Sequence, residues 1–436
     1  DAAVAAWRES ELFAPASNQK IVTSAVALAR LGGDFQFTTT VCLADGNLVI
    51  TGDFDPLLGD PVLAAAEGKS IYDDLDRWAA AVKAKVGSAF PGDIVLAVRT
   101  PAGGYRHEDW PVGQYDRWYV VPVAELNFNN NCFDVTFRAG EKGIEPVVEP
   151  QSRYIQVQSQ LAGGSKQTWS AKDVPDESAV VLKGSVKSAS TEPVSVSVSD
   201  PPMLLGRVFA DRLQKVGVNF TGRIRKEDPA GVPMNRAEIL CATRTPLARA
   251  IARANKRSLN MVAECILLRS GDGTWNGSDA LAAQTLAQVF GIAGSDAVLR
   301  DGGGLSQKNR IAPRAMARLL MEVNRRPDAK ILRDSLPVSG VDGTMQNRLK
   351  DAAYRGRVLG KTGYITGVSS LSGYVLDPTG RPAMAFSILC NKIKGAGEAR
   401  QLQDAICMRL VDALGPTVEL PQTTPTTTSE PATAPE

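Results

Sequence analysis

From residue 16 to 33, apolar side chains recur every three or four positions: Ile21, Val22, Ala25, Val26, Leu28 and Leu31. That spacing lines one face of a helix, and Gly32-Gly33 supplies the stop. Pro15 and Ala16 stand just ahead, so Ser17 falls at the first turn. Lys20 follows three residues on and shares its face. The preceding "AAVAAWR" reads as a strand. After Gly33 the period shortens. "FTTTVCL", "GNLVITG", "DIVLAV", "CFDVTFR", "YIQVQS", "AVVLKG" and "VSVSVSD" predict short strands, separated by turns rich in Gly, Pro, Asp and Asn. Helical spacing interrupts this region at about 71–85 and 203–216.

From Thr245 the helical period returns in "TPLARAIARANKRS" and "LNMVAECILLRS", then over 278–290 and 313–325. Strands "GRVLGKTG", "VSSLSGYVLD" and "AMAFSILC" follow, and a helix over 396–413 closes the pattern. Strands next to helices at both ends predict one α/β (α+β) domain assembled from residues 1–34 and 245–416. The β-rich stretch 35–244 is then an insertion. Residues 417–436, "TVELPQTTPTTTSEPATAPE", form a Pro/Thr-rich tail that cannot build a core and is expected to be disordered.

Composition narrows the chemistry. The 436 residues are 22% charged and 44% hydrophobic with a net charge of +2, an ordinary globular balance with no electrostatic case for nucleic acid. No apolar run approaches a membrane span. There is one histidine, His107, in a loop-like stretch that reads as surface. A multi-histidine metal site is therefore excluded, and a hydrolase here needs another base. The six cysteines lack metal spacing; Cys265, Cys390 and Cys407 lie in apolar segments and read as small buried hydrophobes.

Three short motifs carry the chemistry, each found once: Ser17-Asn18-Gln19-Lys20, Ser258-Leu259-Asn260 and Lys361-Thr362-Gly363. Composition alone would produce K-T-G in roughly one chain of this length in ten. A serine hydroxyl needs a base within hydrogen-bond reach. Lys20 qualifies if burial and a neighbouring cation lower its ammonium pKa, and Lys361 is the candidate cation. Ser258 and Asn260, in the break between two helices, are placed to relay a proton and bind an amide. No cofactor or metal is called for. Elsewhere, "DGGGLS" lacks the strand–helix context of a phosphate loop and reads as a turn, with Asp301 bonding nearby backbone. Asp342-Gly343-Thr344 also reads as structural, and Trp110, Trp118 and Tyr119 are expected to pack in the insertion.

These motifs, with "RDGGGLSQKNRIAP", "LPVSGVDGTM" and "VPVAELNFNNNCFDV", resemble the class C low-molecular-mass penicillin-binding proteins, of penicillin-binding protein 4 type. The resemblance runs to about residue 415. It implies a penicilloyl-serine transferase, β-lactamase-like domain, an antiparallel sheet flanked by helices, with two nested domains inserted between the first two motifs. It also implies Ser17 as acylated nucleophile, Lys20 as its proton acceptor, and Ser258 and Asn260 as the second wall. Lys361 and Thr362 would take the substrate carboxylate. Gly363 and Tyr364 would line the substrate, with the N–H groups of Ser17 and Tyr364 as oxyanion hole. Leu259 and Tyr364 depart from the residues common at their positions.

The implied enzyme is a D-Ala-D-Ala carboxypeptidase or endopeptidase acting on peptidoglycan stem peptides in the periplasm or extracytoplasmic envelope, and blocked by β-lactam antibiotics. Two other readings stand beside it: a β-lactamase or esterase on the same fold, and a non-catalytic peptidoglycan-binding scaffold. Oligomeric state is not legible.

Overall fold

The computed structural model describes residues 2–101, 103–140 and 143–416; the predicted tail, 417–436, lies outside them. The strand Val368–Leu376 is buried at every position, as a central strand covered on both faces must be. It pairs antiparallel with Val358–Ile365 on one side and Pro382–Asn391 on the other. Alternation sends its side chains to two layers. Leu371 and Val375 meet Cys407 and Val411 of the helix Ala396–Ala413. On the opposite face the Tyr374 hydroxyl donates to Leu320 O, 2.7 Å away, on the helix Pro313–Asn324.

Beyond that second face lies the helical core. The helix Gln19–Leu31 is buried without interruption from Gln19 to Leu28. Its apolar residues share one cluster with those of Leu247–Arg257, Asn260–Ser270, Trp275–Phe290 and Pro313–Asn324. A helix enclosed on all sides must bury its polar groups too, and Lys20, Thr23 and Ser24 are all buried.

The chain leaves these helices along Gln36–Ala44 and returns along Glu238–Pro246, an antiparallel pair with Gln36 opposite Pro246. These strands are part of a five-stranded mixed sheet. Its parallel pairs, Asn47–Gly52 with Ile94–Ala97 and Ile94–Ala97 with Ile224–Glu227, follow crossovers that contain Asp73–Val86 and Pro201–Lys215. Two three-stranded sheets, spanning 132–197, lie in sequence between the last two of those strands.

Four expectations need correction. Residues 2–8 form no strand: Val4 and Trp7, the large apolar side chains there, remain 71% and 79% exposed. His107 is 1% exposed, wedged against the rings of Trp110 and Trp275. Trp110 joins the helical core and donates to Asp301 Oδ2 at 3.0 Å, because the 110–123 segment folds back onto the helices. Cys390 is half-buried, near the end of an outer strand.

The insertion is also fastened by charge. Arg253 meets Asp60 with two hydrogen bonds, 2.7 and 3.1 Å, both side chains nearly inaccessible. Asp60 also accepts from Val62 N and Leu63 N, capping the short helix Pro61–Ala66. Arg253→Leu strands that carboxylate. The expected loss is about 3–5 kcal/mol of stability in urea unfolding, against under about 0.5 kcal/mol for Arg138→Leu at an exposed pair.

Candidate active site

Ser17 sits in a tight turn, Ala16–Asn18, that runs directly into the helix Gln19–Leu31. Ala16 enters that turn at φ +47°, a conformation unfavourable for a residue with a Cβ. Strain of this kind persists only where surrounding contacts hold it. Here Ser370 Oγ donates to Pro15 O at 2.6 Å, and the Asn18 side-chain amide donates to Lys361 O at 2.6 Å. The turn is thereby tied to the K-T-G strand through Lys361 and to its neighbour Val368–Leu376 through Ser370.

Lys20 has no solvent exposure. Its Nζ donates to Ser17 Oγ at 3.1 Å, Asn260 Oδ1 at 2.7 Å and Gly303 O at 2.6 Å. Two of those acceptors are carbonyl oxygens and can never donate. The third, a hydroxyl, can. If Lys20 gives up one proton, its two remaining N–H groups stay on the carbonyls and its lone pair faces the Ser17 hydroxyl. Burial lowers Lys20 to about 8, against the opposing pull of Glu264 and then Asp301.

Lys361, equally buried, donates to Ser258 Oγ at 2.9 Å and to Thr362 O at 2.7 Å. Burial first, and the charge of Lys20 second, hold it well below the ordinary lysine value. Of the two expected causes, desolvation is the larger for Lys20, and the two buried cations disfavour each other's charged forms.

Ser258 caps the helix Leu247–Arg257 in the left-handed region, φ +59°, and Asn260 opens the next helix. The reversal aims both side chains at the two lysines. Asn260 is oriented by its own amide, which donates to Tyr119 O at 2.8 Å. Trp118, 46% exposed, packs edge-on against the Tyr119 ring, so the insertion reaches the site itself. Thr362 Oγ1 bonds Thr344 Oγ1 at 2.7 Å, which brings the Asp342-Gly343-Thr344 turn to the rim. Tyr364 is exposed beneath the Arg400 guanidinium.

The structure brings Ser17, Lys20, Ser258, Asn260, Lys361 and Gly363 together, with Thr362 at the rim and Tyr364 exposed beside Arg400, and motif reading misses what arranges them. Gly303 is absent from that set because a carbonyl acceptor has no side-chain signal. Glu264, buried beneath the same loop, is also missed, although it lies one helical turn beyond Asn260. Asp301 does hold backbone, accepting from Gly304 N at 2.8 Å and Ser306 N at 2.6 Å. No His, Cys, Asp or Glu group among the described residues could hold a metal ion. No described helix is long and apolar enough to cross a membrane.

A serine and a lysine at the head of a buried helix, facing a K-T-G strand across its joint with an antiparallel sheet, define an active-site-serine peptidase of the penicillin-binding class. The chain belongs to the D-Ala-D-Ala carboxypeptidase 3 (S13) family, whose model matches residues 1–412. It is a serine D-Ala-D-Ala carboxypeptidase. The D-alanyl-D-alanine carboxypeptidase of Actinomadura sp. (strain R39) is 30% identical over 435 residues, covering 93% of this chain and 78% of that one. Penicillin binding protein 4 of Haemophilus influenzae shares the fold, with a TM-score of 0.75 at 23% identity over 94% of this chain and 93% of that one. A second structure of that protein, complexed with a β-lactam, gives 0.72 at 22% identity with the same coverage.

Gly363 tests how tight the joint is. A Cβ there would stand 2.2 Å from Ser370 Oγ and 2.9 Å from Ser17 N. Gly363→Ala is expected to cost about 1–3 kcal/mol in urea unfolding. Gly113→Ala, which meets open space, is the control and should change little.

Proposed function

We propose that Ser17 attacks the carbonyl of the penultimate D-Ala of a peptidoglycan stem peptide while Lys20 takes its hydroxyl proton. The observation that carries this reading is the Lys20 environment, in which the hydroxyl of Ser17 is the one acceptor able to donate in return. As the tetrahedral oxyanion forms, the backbone N–H groups of Ser17 and Tyr364 receive it. Ser258 Oγ, bonded to Lys361, relays a proton to the departing D-Ala nitrogen. The carbonyl re-forms as an ester on Ser17, and water then hydrolyses that ester.

Lys361 and Thr362 bind the substrate's terminal carboxylate. An arriving anion compensates the desolvation that lowers Lys361 and so favours its charged form exactly when substrate is bound. Gly363 lets the substrate strand and Ser17 approach closely. The same elements would open D-amino-acid crosslinks, an endopeptidase activity. Because the substrate is cell-wall peptide, the working location is the extracytoplasmic envelope.

β-Lactams present a strained amide to the same Ser17 and leave an ester with the leaving group still attached. The β-lactam complex of the Haemophilus influenzae relative supports this mode of trapping. Intact mass after incubation with benzylpenicillin is expected to show one adduct per chain, absent in Ser17→Ala. Drug hydrolysed without an adduct would mean a β-lactamase, and drug left intact would mean a scaffold. The second-order acylation rate should rise with pH through a midpoint near 8, since the neutral fraction of Lys20 grows as pH passes its value. Lys20→Ala should lose the rate and that limb, measured by stopped-flow or quenched-flow acylation from pH 6 to 10.

A further inference from the structure

Nucleophile and base are commonly completed by a third group that orients the base and stabilises its protonated form. The Ser17–Lys20 pair has a candidate for that place. Glu264 is fully buried on the helix Asn260–Ser270, one turn below Asn260. Its two carboxyl oxygens accept separately, Oε2 from Gly302 N and Oε1 from Gly303 N, each at 2.7 Å. Gly303 O in turn accepts from Lys20 Nζ at 2.6 Å. The carboxylate, the Gly303 residue, the ammonium and the hydroxyl form one chain of contacts ending at Ser17.

The glycines make this chain possible. A Cβ on Gly303 would lie 2.8 Å from Glu264 Oε1 and 3.1 Å from Asn260 Oδ1. A Cβ on Gly302 would lie 2.7 Å from Ala263 O and 3.1 Å from Glu264 Oε2. Gly302 O is also fastened, accepting from Thr23 Oγ1 at 2.8 Å on the helix that carries Lys20. Side chains at 302 or 303 would push the loop off the carboxylate and take the carbonyl away from the lysine.

We propose that Glu264 is the third member of the catalytic set, a positioning residue that fixes the Gly303 carbonyl against Lys20 and supplies the negative charge that stabilises Lys20 as it takes the Ser17 proton. This rests on the reading of Lys20 as the base. Both Glu264 oxygens face N–H donors, the pattern of an ionised carboxylate. Burial and Asp301 push Glu264 well above the ordinary carboxylate range, while the two N–H donors and Lys20 oppose them. The other charges facing this pair are Asp301, on the loop, and Lys361, on the strand.

The test is benzylpenicillin acylation of the full chain as a function of pH, with wild type, Glu264→Gln and Glu264→Asp, folding of each being checked by circular dichroism. Removing the negative charge makes the Lys20 ammonium less stable. Glu264→Gln should therefore move the rising limb down by about one pH unit and lower the plateau rate about a hundredfold. Glu264→Asp keeps the charge but shortens its reach. It should lose rate while holding a midpoint close to wild type. A purely structural role would lower the rate without moving the limb. Coincident midpoints for wild type and Glu264→Gln would overturn the proposal. If Glu264→Gln does not fold, Glu264→Asp decides alone, and a wild-type rate there overturns it. Wild type that is never acylated would instead overturn the base assignment and, with it, this one.

Discussion

Everything in the site depends on holding a lysine ammonium where water cannot reach it. A cation taken out of water is costly unless its hydrogens are satisfied, and Lys20 meets that demand with three oxygens from three separate parts of the chain. One belongs to the turn that leads into its own helix, one to the helix after Ser258, and one to the Asp301–Ser306 loop. Moving any of these elements would leave a buried donor unpaired. Desolvation that makes the lysine expensive also lowers it to about 8, which the proposed role of base requires. Cost and function have a single cause.

The same constraint explains why strain and glycine gather here. Ala16 and Ser258 both adopt positive φ, and each turns the chain just where a functional hydroxyl must face inward. Gly363 and Gly304 are close-approach positions. A Cβ on Gly304 would strike Ala16 O at 1.9 Å. Packing among the helices and the K-T-G strand holds these conformations in place.

The inserted region does more than decorate the enzyme. Tyr119 O orients Asn260, and Trp110 Nε1 bonds Asp301, which shapes the loop carrying Gly303. The buried Arg253–Asp60 pair fastens the helix after the insertion to the short helix inside it. Site geometry is therefore a property of both parts of the chain together. An insertion that packed only on itself would leave the Asn260 amide without this acceptor.

What the sequence determined by itself was local. Periodicity located the helix of Ser17, the alternating strands and the helices after Thr245, because burial on one face writes itself into every third, fourth or second residue. Rare side-chain motifs marked Ser17, Lys20, Ser258, Asn260 and Lys361, since each brings a functional group that few residues can replace. The tertiary structure alone decided the rest. Gly303 acts through a backbone carbonyl and Tyr119 through another, and every residue has one, so neither leaves a signature. His107 read as surface because a loop-like sequence cannot show that two tryptophans will enclose it. Residues 2–8 read as a strand by local pattern, but a strand needs a ladder partner, and pairing is settled in three dimensions. Glu264 belongs to no motif. Only the fold shows it lying under two glycine N–H groups, one glycine residue away from Lys20.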